Sequence, residues 1–184
     1  MSGHPPRRPV LHPWGWHPLT DSWADRIVAG AGIGPDDLVL DLGAGTGALT
    51  RPLLAAGSRV LAFELHPGRL AALRAWADRE PRLTVVRADV TDLRLPRRPF
   101  KVVSSPPYAG ASTVLDRLLA PGSRLVAADL VVQRQLARRF VEGRAPGAGR
   151  WGRRYDVRVV QALPRAAFRR PPRVDSVVLR VTRA

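Results

Sequence analysis

A chain of 184 residues, 45% of them hydrophobic, has the length of one compact domain, typically roughly 100 to 150 residues, with no room for a second large one. It carries 30 Lys+Arg against 15 Asp+Glu, a formal net charge of +15, and every basic residue except Lys101 is arginine. With no cysteine, no metal spacing among His4, His12, His17 and His66, and no apolar run of the roughly 18 residues that span a bilayer, the chain reads as a cytoplasmic, monomeric enzyme without disulfide, metal or membrane partner.

Residues 1–18, rich in Pro, Arg, His and Trp without periodicity, read as a basic extended arm, and residues 19–184 as the folded domain. Thr20 or Asp21 caps a helix reaching about Ala31, with Trp23, Ile27 and Val28 on its inner face. Gly32 to Asp37 turns the chain into a strand over 38–42. A helix near 46–56, a strand over 59–63, a helix over 67–78 and strands over 83–87 and 99–104 follow. Next come a helix over 111–119, a strand over 124–131 and a helix over 132–142. Strand and helix in alternation imply an α/β fold with a mostly parallel sheet and helices on both faces. Residues 143–154 form a glycine-rich basic loop, too polar to pack and expected to be mobile. Strands over about 155–162 and 174–182 flank Pro164 to Pro172 and close a seven-stranded sheet as an antiparallel edge hairpin.

The chemistry concentrates at the ends of the expected parallel strands. Val39-Leu40-Asp41-Leu42-Gly43-Ala44-Gly45-Thr46-Gly47 reads as a buried strand turning into a helix, with glycines that let a cofactor approach the backbone. The same letters satisfy a dinucleotide fingerprint, G-x-G-x-x-A, but a dehydrogenase has no use for the Ser105-Pro106-Pro107-Tyr108 tetrad at the end of the fourth strand. Glu64, 17 positions after Gly47, stands where a carboxylate meets ribose hydroxyls; a solvated strand end is the plain alternative. Asp89 can accept from an adenine amine or simply cap a turn.

The tetrad is the catalytic signal. An exocyclic amine on a nucleobase is a poor nucleophile because its lone pair is conjugated with the ring. Accepting both N–H protons, on a side-chain oxygen and on a carbonyl held rigid by proline, localises that lone pair toward an incoming methyl group. Tyr108 can stack on an extruded base, whereas a Pro-Pro stop signal is the structural alternative. The arginine surplus favours a polyanionic partner, since neutralised phosphates release counterions and the guanidinium fork pairs with them bidentately.

These residues resemble the ribosomal RNA adenine N6-methyltransferases, both the erythromycin-resistance (Erm) methylases and the small-subunit adenine dimethyltransferases. The similarity runs from about Trp14 to Arg183 and includes Leu19-Thr20-Asp21, Asp41 to Thr50, Glu64, Asp89, Ser105 to Tyr108, and Phe168 with Pro171 to Val177. It implies one Rossmann-like class I methyltransferase domain, with S-adenosylmethionine as cofactor and N6 of an adenine as acceptor. The Erm branch implies 23S ribosomal RNA and resistance to macrolide, lincosamide and streptogramin drugs. Carried over, Ser105, Pro106, Pro107 and Tyr108 are catalytic, and His17, Leu19, Gly43, Gly45, Glu64, Asp89 and Ser105 bind the cofactor.

The pattern departs from the family in three places. Trp16-His17-Pro18-Leu19 stands for Gln-Asn-Phe-Leu, Ser105 heads the tetrad in place of Asn, and the helical RNA-binding domain that usually follows is missing, as it is in shorter Erm-like proteins. RNA contacts then fall to Arg7 and Arg8 in the arm, to Arg138 and Arg139, to Arg150, Arg153 and Arg154, and to the Arg165, Arg169, Arg170 and Arg173 cluster. Phe168 belongs either to the target-base pocket or to the core. Ser-Pro-Pro-Tyr also serves enzymes that methylate cytosine N4, and a non-catalytic ribosome-assembly factor on the same fold is the alternative from another class.

Overall fold

The computed structural model describes residues 15–184, so Arg7, Arg8 and Trp14 lie outside the described residues. The short apolar runs form strands β1 (Leu38–Leu42), β2 (Arg59–Glu64), β3 (Leu83–Arg87), β4 (Phe100–Ser104), β5 (Leu125–Gln133), β6 (Tyr155–Leu163) and β7 (Ser176–Arg183). Helices α1 (Asp21–Gly30), α2 (Thr50–Ala55), α3 (Pro67–Ala77), α4 (Ala111–Leu118), α5 (Arg134–Val141) and α6 (Ala148–Trp151) accompany them. The strands make one sheet in the order β3-β2-β1-β4-β5-β7-β6, with β7 antiparallel to both of its neighbours.

Every residue of β1 is buried, as a strand covered on both faces requires. Its side chains alternate: Leu38, Leu40 and Leu42 pack with Leu115, Phe140 and Trp151, while Val39 packs with Ile27, Leu53 and Leu73 on the opposite face. Each such leucine contributes roughly 1.5 to 3 kcal/mol of burial. Arg180 locks the late strands to α1, donating from Nε to Asp129 Oδ1 at 2.7 Å and from NH2 to Asp129 Oδ2 and the Gly30 carbonyl at 2.6 Å each.

Four expectations are corrected. The helix after the glycine turn begins at Thr50 rather than near 46, because Gly43, Gly45 and Gly47 hold φ of 76°, 61° and 86°, which a right-handed helix cannot use. The β5–α5 boundary moves to Gln133–Arg134, and β7 starts at Ser176 rather than 174. Residues 143–154 are not a featureless loop: they carry α6 and one buried aromatic anchor. Trp151 is buried, stacks on Phe140 at 5.7 Å, and donates its indole N–H to the Pro146 carbonyl at 3.1 Å. One buried indole removes roughly 150 to 250 Å² from water, enough to anchor a polar, glycine-rich segment.

At the carboxyl ends of the strands the sheet opens. β1 and β4 pair only through Val39–Lys101 and Leu40–Val102, and beyond that point they part. Ser104 Oγ fills the gap, accepting from Leu42 N–H at 3.1 Å and donating to the Leu42 carbonyl at 2.7 Å. Strand order reverses here, which is where open α/β sheets form their ligand crevice.

Candidate active site

The glycine turn is suspended from β2, with Gly43 and Ala44 N–H groups donating to the Phe63 carbonyl at 2.8 and 2.9 Å. It lies directly against the tetrad: a Cβ on Gly43 would stand 3.0 Å from Pro107 Cδ. Gly43, Glu64, Asp89 and Ser105 to Tyr108 line one cavity of about 300 Å³, together with Trp16, His17 and Arg69. A smaller cavity of about 30 Å³ continues past Trp16, walled by Leu19, Asp41, Ala44, Thr46 and Leu49.

The carboxylates are held by local backbone. Glu64 is buried; its Oε1 accepts from the Leu65 and His66 amides at 2.8 Å each, and its Oε2 accepts from Gly45 N–H at 2.8 Å. Asp89 caps the 3-10 turn Val90–Asp92, taking Thr91 N–H and Oγ1–H on Oδ1 at 2.8 Å each. Those bonds hold its carboxyl below the usual range and leave Oδ2 without a partner among the described residues. Asp41 is different: burial, with the Glu64 charge adding to it, pushes its carboxyl up to about 7, although Thr50 Oγ1 donates to it at 2.7 Å.

The tetrad turns sharply, with Gly110 N–H donating to the Pro107 carbonyl at 2.9 Å. Tyr108 is half-buried, its hydroxyl 2.6 Å from Ser176 Oγ, and burial raises the phenol above its ordinary value. The His17 ring lies 5.6 Å from the Tyr108 ring. His17 arrives on a strap sewn to the β6–β7 connection. Its Nδ1 donates to the Arg170 carbonyl at 3.1 Å, Arg169 N–H donates to Pro18 O at 2.8 Å, and Thr20 N–H donates to Ala167 O at 2.9 Å. Leu19 pairs with Phe168 in an isolated bridge, and both side chains are buried in the core. Phe168 thus sits in the core, at the rim of a neighbouring cleft, and outside the main cavity.

The arginines divide between the two edges of the sheet. Exposed Arg134, Arg165, Arg169, Arg170 and Arg173 cluster at the carboxyl edge beside Ser176, and Arg138 and Arg139 follow one helical turn down α5. Arg150, Arg153 and Arg154 precede Tyr155, which pairs with Arg183 at the opposite edge, a β6 length of about 26 Å away. They do not join the site. Three residues escaped the sequence reading: Ser176 as the partner of Tyr108, Trp16, and Arg69. A Cβ on Gly45 would come within 2.7 Å of the Trp16 indole nitrogen, and the Arg69 guanidinium lies 4.8 Å from the Trp16 ring. Only the Trp16 departure from the family pattern hinted at this.

Strand order, glycine turn and cavity together define the class I S-adenosylmethionine-dependent methyltransferase fold. Within that class, the chain belongs to the ribosomal RNA adenine dimethylase family, whose model matches residues 19–184. It is 34% identical over 171 residues to a probable ribosomal RNA small subunit methyltransferase A of Methanopyrus kandleri, covering 89% of this chain and 60% of that one. It is 32% identical over 162 residues to an rRNA adenine N-6-methyltransferase of Bacillus licheniformis, covering 86% and 56%. Among solved structures, the 23S rRNA methyltransferase ErmE superposes with a TM-score of 0.78 at 30% identity, covering 91% of this chain and 70% of that one. The chain thus spans less than two thirds of the length of these curated relatives. Among the described residues no helix is long and apolar enough to cross a membrane.

The residues fit the cofactor. A buried carboxylate, Gly43 at the cavity wall, and an aspartate with one oxygen to spare meet the needs of a ribose, a close-lying chain and an adenine amine, whereas Gly45 lies under Trp16 and lines neither cavity.

Proposed function

We propose that the chain methylates N6 of an adenine in 23S ribosomal RNA, protecting the ribosome from macrolide, lincosamide and streptogramin drugs. One observation carries the reading: the glycine turn and the tetrad touch, Gly43 against Pro107, across a single cavity. Bound S-adenosylmethionine supplies an electrophilic methyl group on a sulfonium. Glu64 would receive the ribose hydroxyls, the spare oxygen of Asp89 would receive the adenine amine, and Gly43 would admit close backbone approach. His17 and Leu19 fix the strap that closes the site.

On the acceptor side, Tyr108 stacks on the extruded base. Burial keeps its phenol protonated, and Ser176 fixes its tilt. Because the Pro107 carbonyl is already occupied by Gly110, the amine's two N–H groups fall to Ser105 Oγ and the Pro106 carbonyl. Holding both protons there localises the nitrogen lone pair. The arginines at the carboxyl edge receive the RNA backbone.

Likeness to ErmE supports the large-subunit target; comparable identity to the small-subunit methyltransferase supports a second reading, an adenine in small-subunit RNA. Purified protein, isotope-labelled donor and the separated ribosomal RNAs distinguish them. Label on adenine of 23S RNA is expected, label on small-subunit RNA supports the second reading, and label on cytosine or none contradicts both.

A further inference from the structure

Two cavities meet at the site, and four residues line both: Trp16, His17, Gly43 and Ser105. The larger holds the groups suited to adenosine, Glu64 and Asp89, together with the tetrad; the smaller runs past the glycine turn toward Asp41. A cofactor with adenosine at one end and an amino acid at the other crosses that junction at its central sulfur. Of the four shared residues, Gly43 and Ser105 offer no extended surface, and His17 is committed to Arg170 and tilted against Tyr108. Trp16 remains, with its indole nitrogen against Gly45, and that indole already accepts a cation in the form of the Arg69 guanidinium at 4.8 Å. Arg69 Nε is itself buried without a hydrogen bond, but the guanidinium is ion-paired to Glu64, Nε lying 3.4 Å from Oε2 and Nη2 donating to Oε1 at 3.5 Å, so its charge is already balanced by that carboxylate.

We propose that Trp16 is a specificity-determining residue that reads the charge at the centre of the cofactor, favouring the sulfonium donor over its neutral thioether product. The inference rests on the cofactor reading above. Methyl transfer removes one positive charge from sulfur, so an indole beside that atom attracts the donor electrostatically and the product only by dispersion. The consequence is release of product and readmission of donor, a discrimination that the carboxylates cannot supply because both molecules carry the same ribose and adenine. The family pattern has Gln at this position, whereas an indole adds a face that senses charge.

The test is calorimetric and needs no RNA. Dissociation constants are measured for S-adenosylmethionine, S-adenosylhomocysteine and sinefungin, whose ammonium replaces the sulfonium, on wild type, Trp16→Phe and Trp16→Leu, with melting temperatures confirming the fold. The product-to-donor ratio of dissociation constants is expected to fall about fivefold in Trp16→Leu and by less in Trp16→Phe, with sinefungin following the donor. An unchanged ratio, even with all three affinities weakened equally, overturns this inference alone. If wild type binds none of the three, the inference and the cofactor reading fall together.

Discussion

Replacing Asp41 with asparagine isolates the most perturbed acid in the molecule. The side chain is 1% exposed, and burial raises its carboxyl from 3.8 to about 7, so the folded state holds a proton that the unfolded chain has released. The stabilisation is therefore fully present below about pH 4 and is lost as pH rises through about 7. Between pH 5 and pH 8.5 the wild type loses about 3 kcal/mol from this group, the linkage integral over that pH interval. Asp41→Asn keeps the shape and an oxygen to accept from Thr50 but has no proton to lose, so it escapes that decline. Urea unfolding followed by circular dichroism at the two pH values measures the double difference. Equal pH dependence in the two proteins refutes the reasoning. The same carboxylate borders the smaller cavity, so a bound ammonium should ionise it, and donor binding near pH 6.5 should release protons.

Tyr108→Ala should slow methyl transfer by roughly 10- to 100-fold through lost base stacking while leaving donor affinity nearly intact; an equal loss of donor binding in calorimetry contradicts the stacking role. Trp151→Ala should cost about 3 to 5 kcal/mol in urea unfolding, because a buried indole stacked on Phe140 leaves a cavity; a loss under about 1 kcal/mol would show the segment to be loose after all. RNA affinity should fall steeply with salt. Arg165→Gln with Arg173→Gln should flatten that slope by roughly 1.5, whereas Arg150→Gln with Arg153→Gln, at the far edge, should change it less; the reverse order overturns the surface assignment.

Strand positions and the glycine turn were legible because each rests on a local signal: the unbroken apolar run of β1, or three glycines at alternate positions. Boundaries were less so. The helix after the turn starts late because positive φ at Gly47 is invisible to a periodicity count, and Thr50 is fixed by Asp41 across the turn. The packing of 143–154 hinges on one indole whose partner, Phe140, lies in another element, so composition alone points the wrong way. The active-site motifs were legible as letters, but their neighbours were not. Trp16 and Arg69, or Tyr108 and Ser176, meet only through tertiary folding, with no spacing rule to announce them. Likewise, a basic cluster does not reveal which edge of the sheet it occupies until the direction of β6 is known.

The most direct test is a crystal structure with S-adenosylhomocysteine bound. The account predicts the ribose hydroxyls on Glu64, the adenine amine on Asp89 Oδ2, and the sulfur among Trp16, His17, Gly43 and Ser105, facing the Pro106–Pro107 wall. A ligand seated elsewhere, or one whose sulfur is shut off from the tetrad by protein, would contradict it.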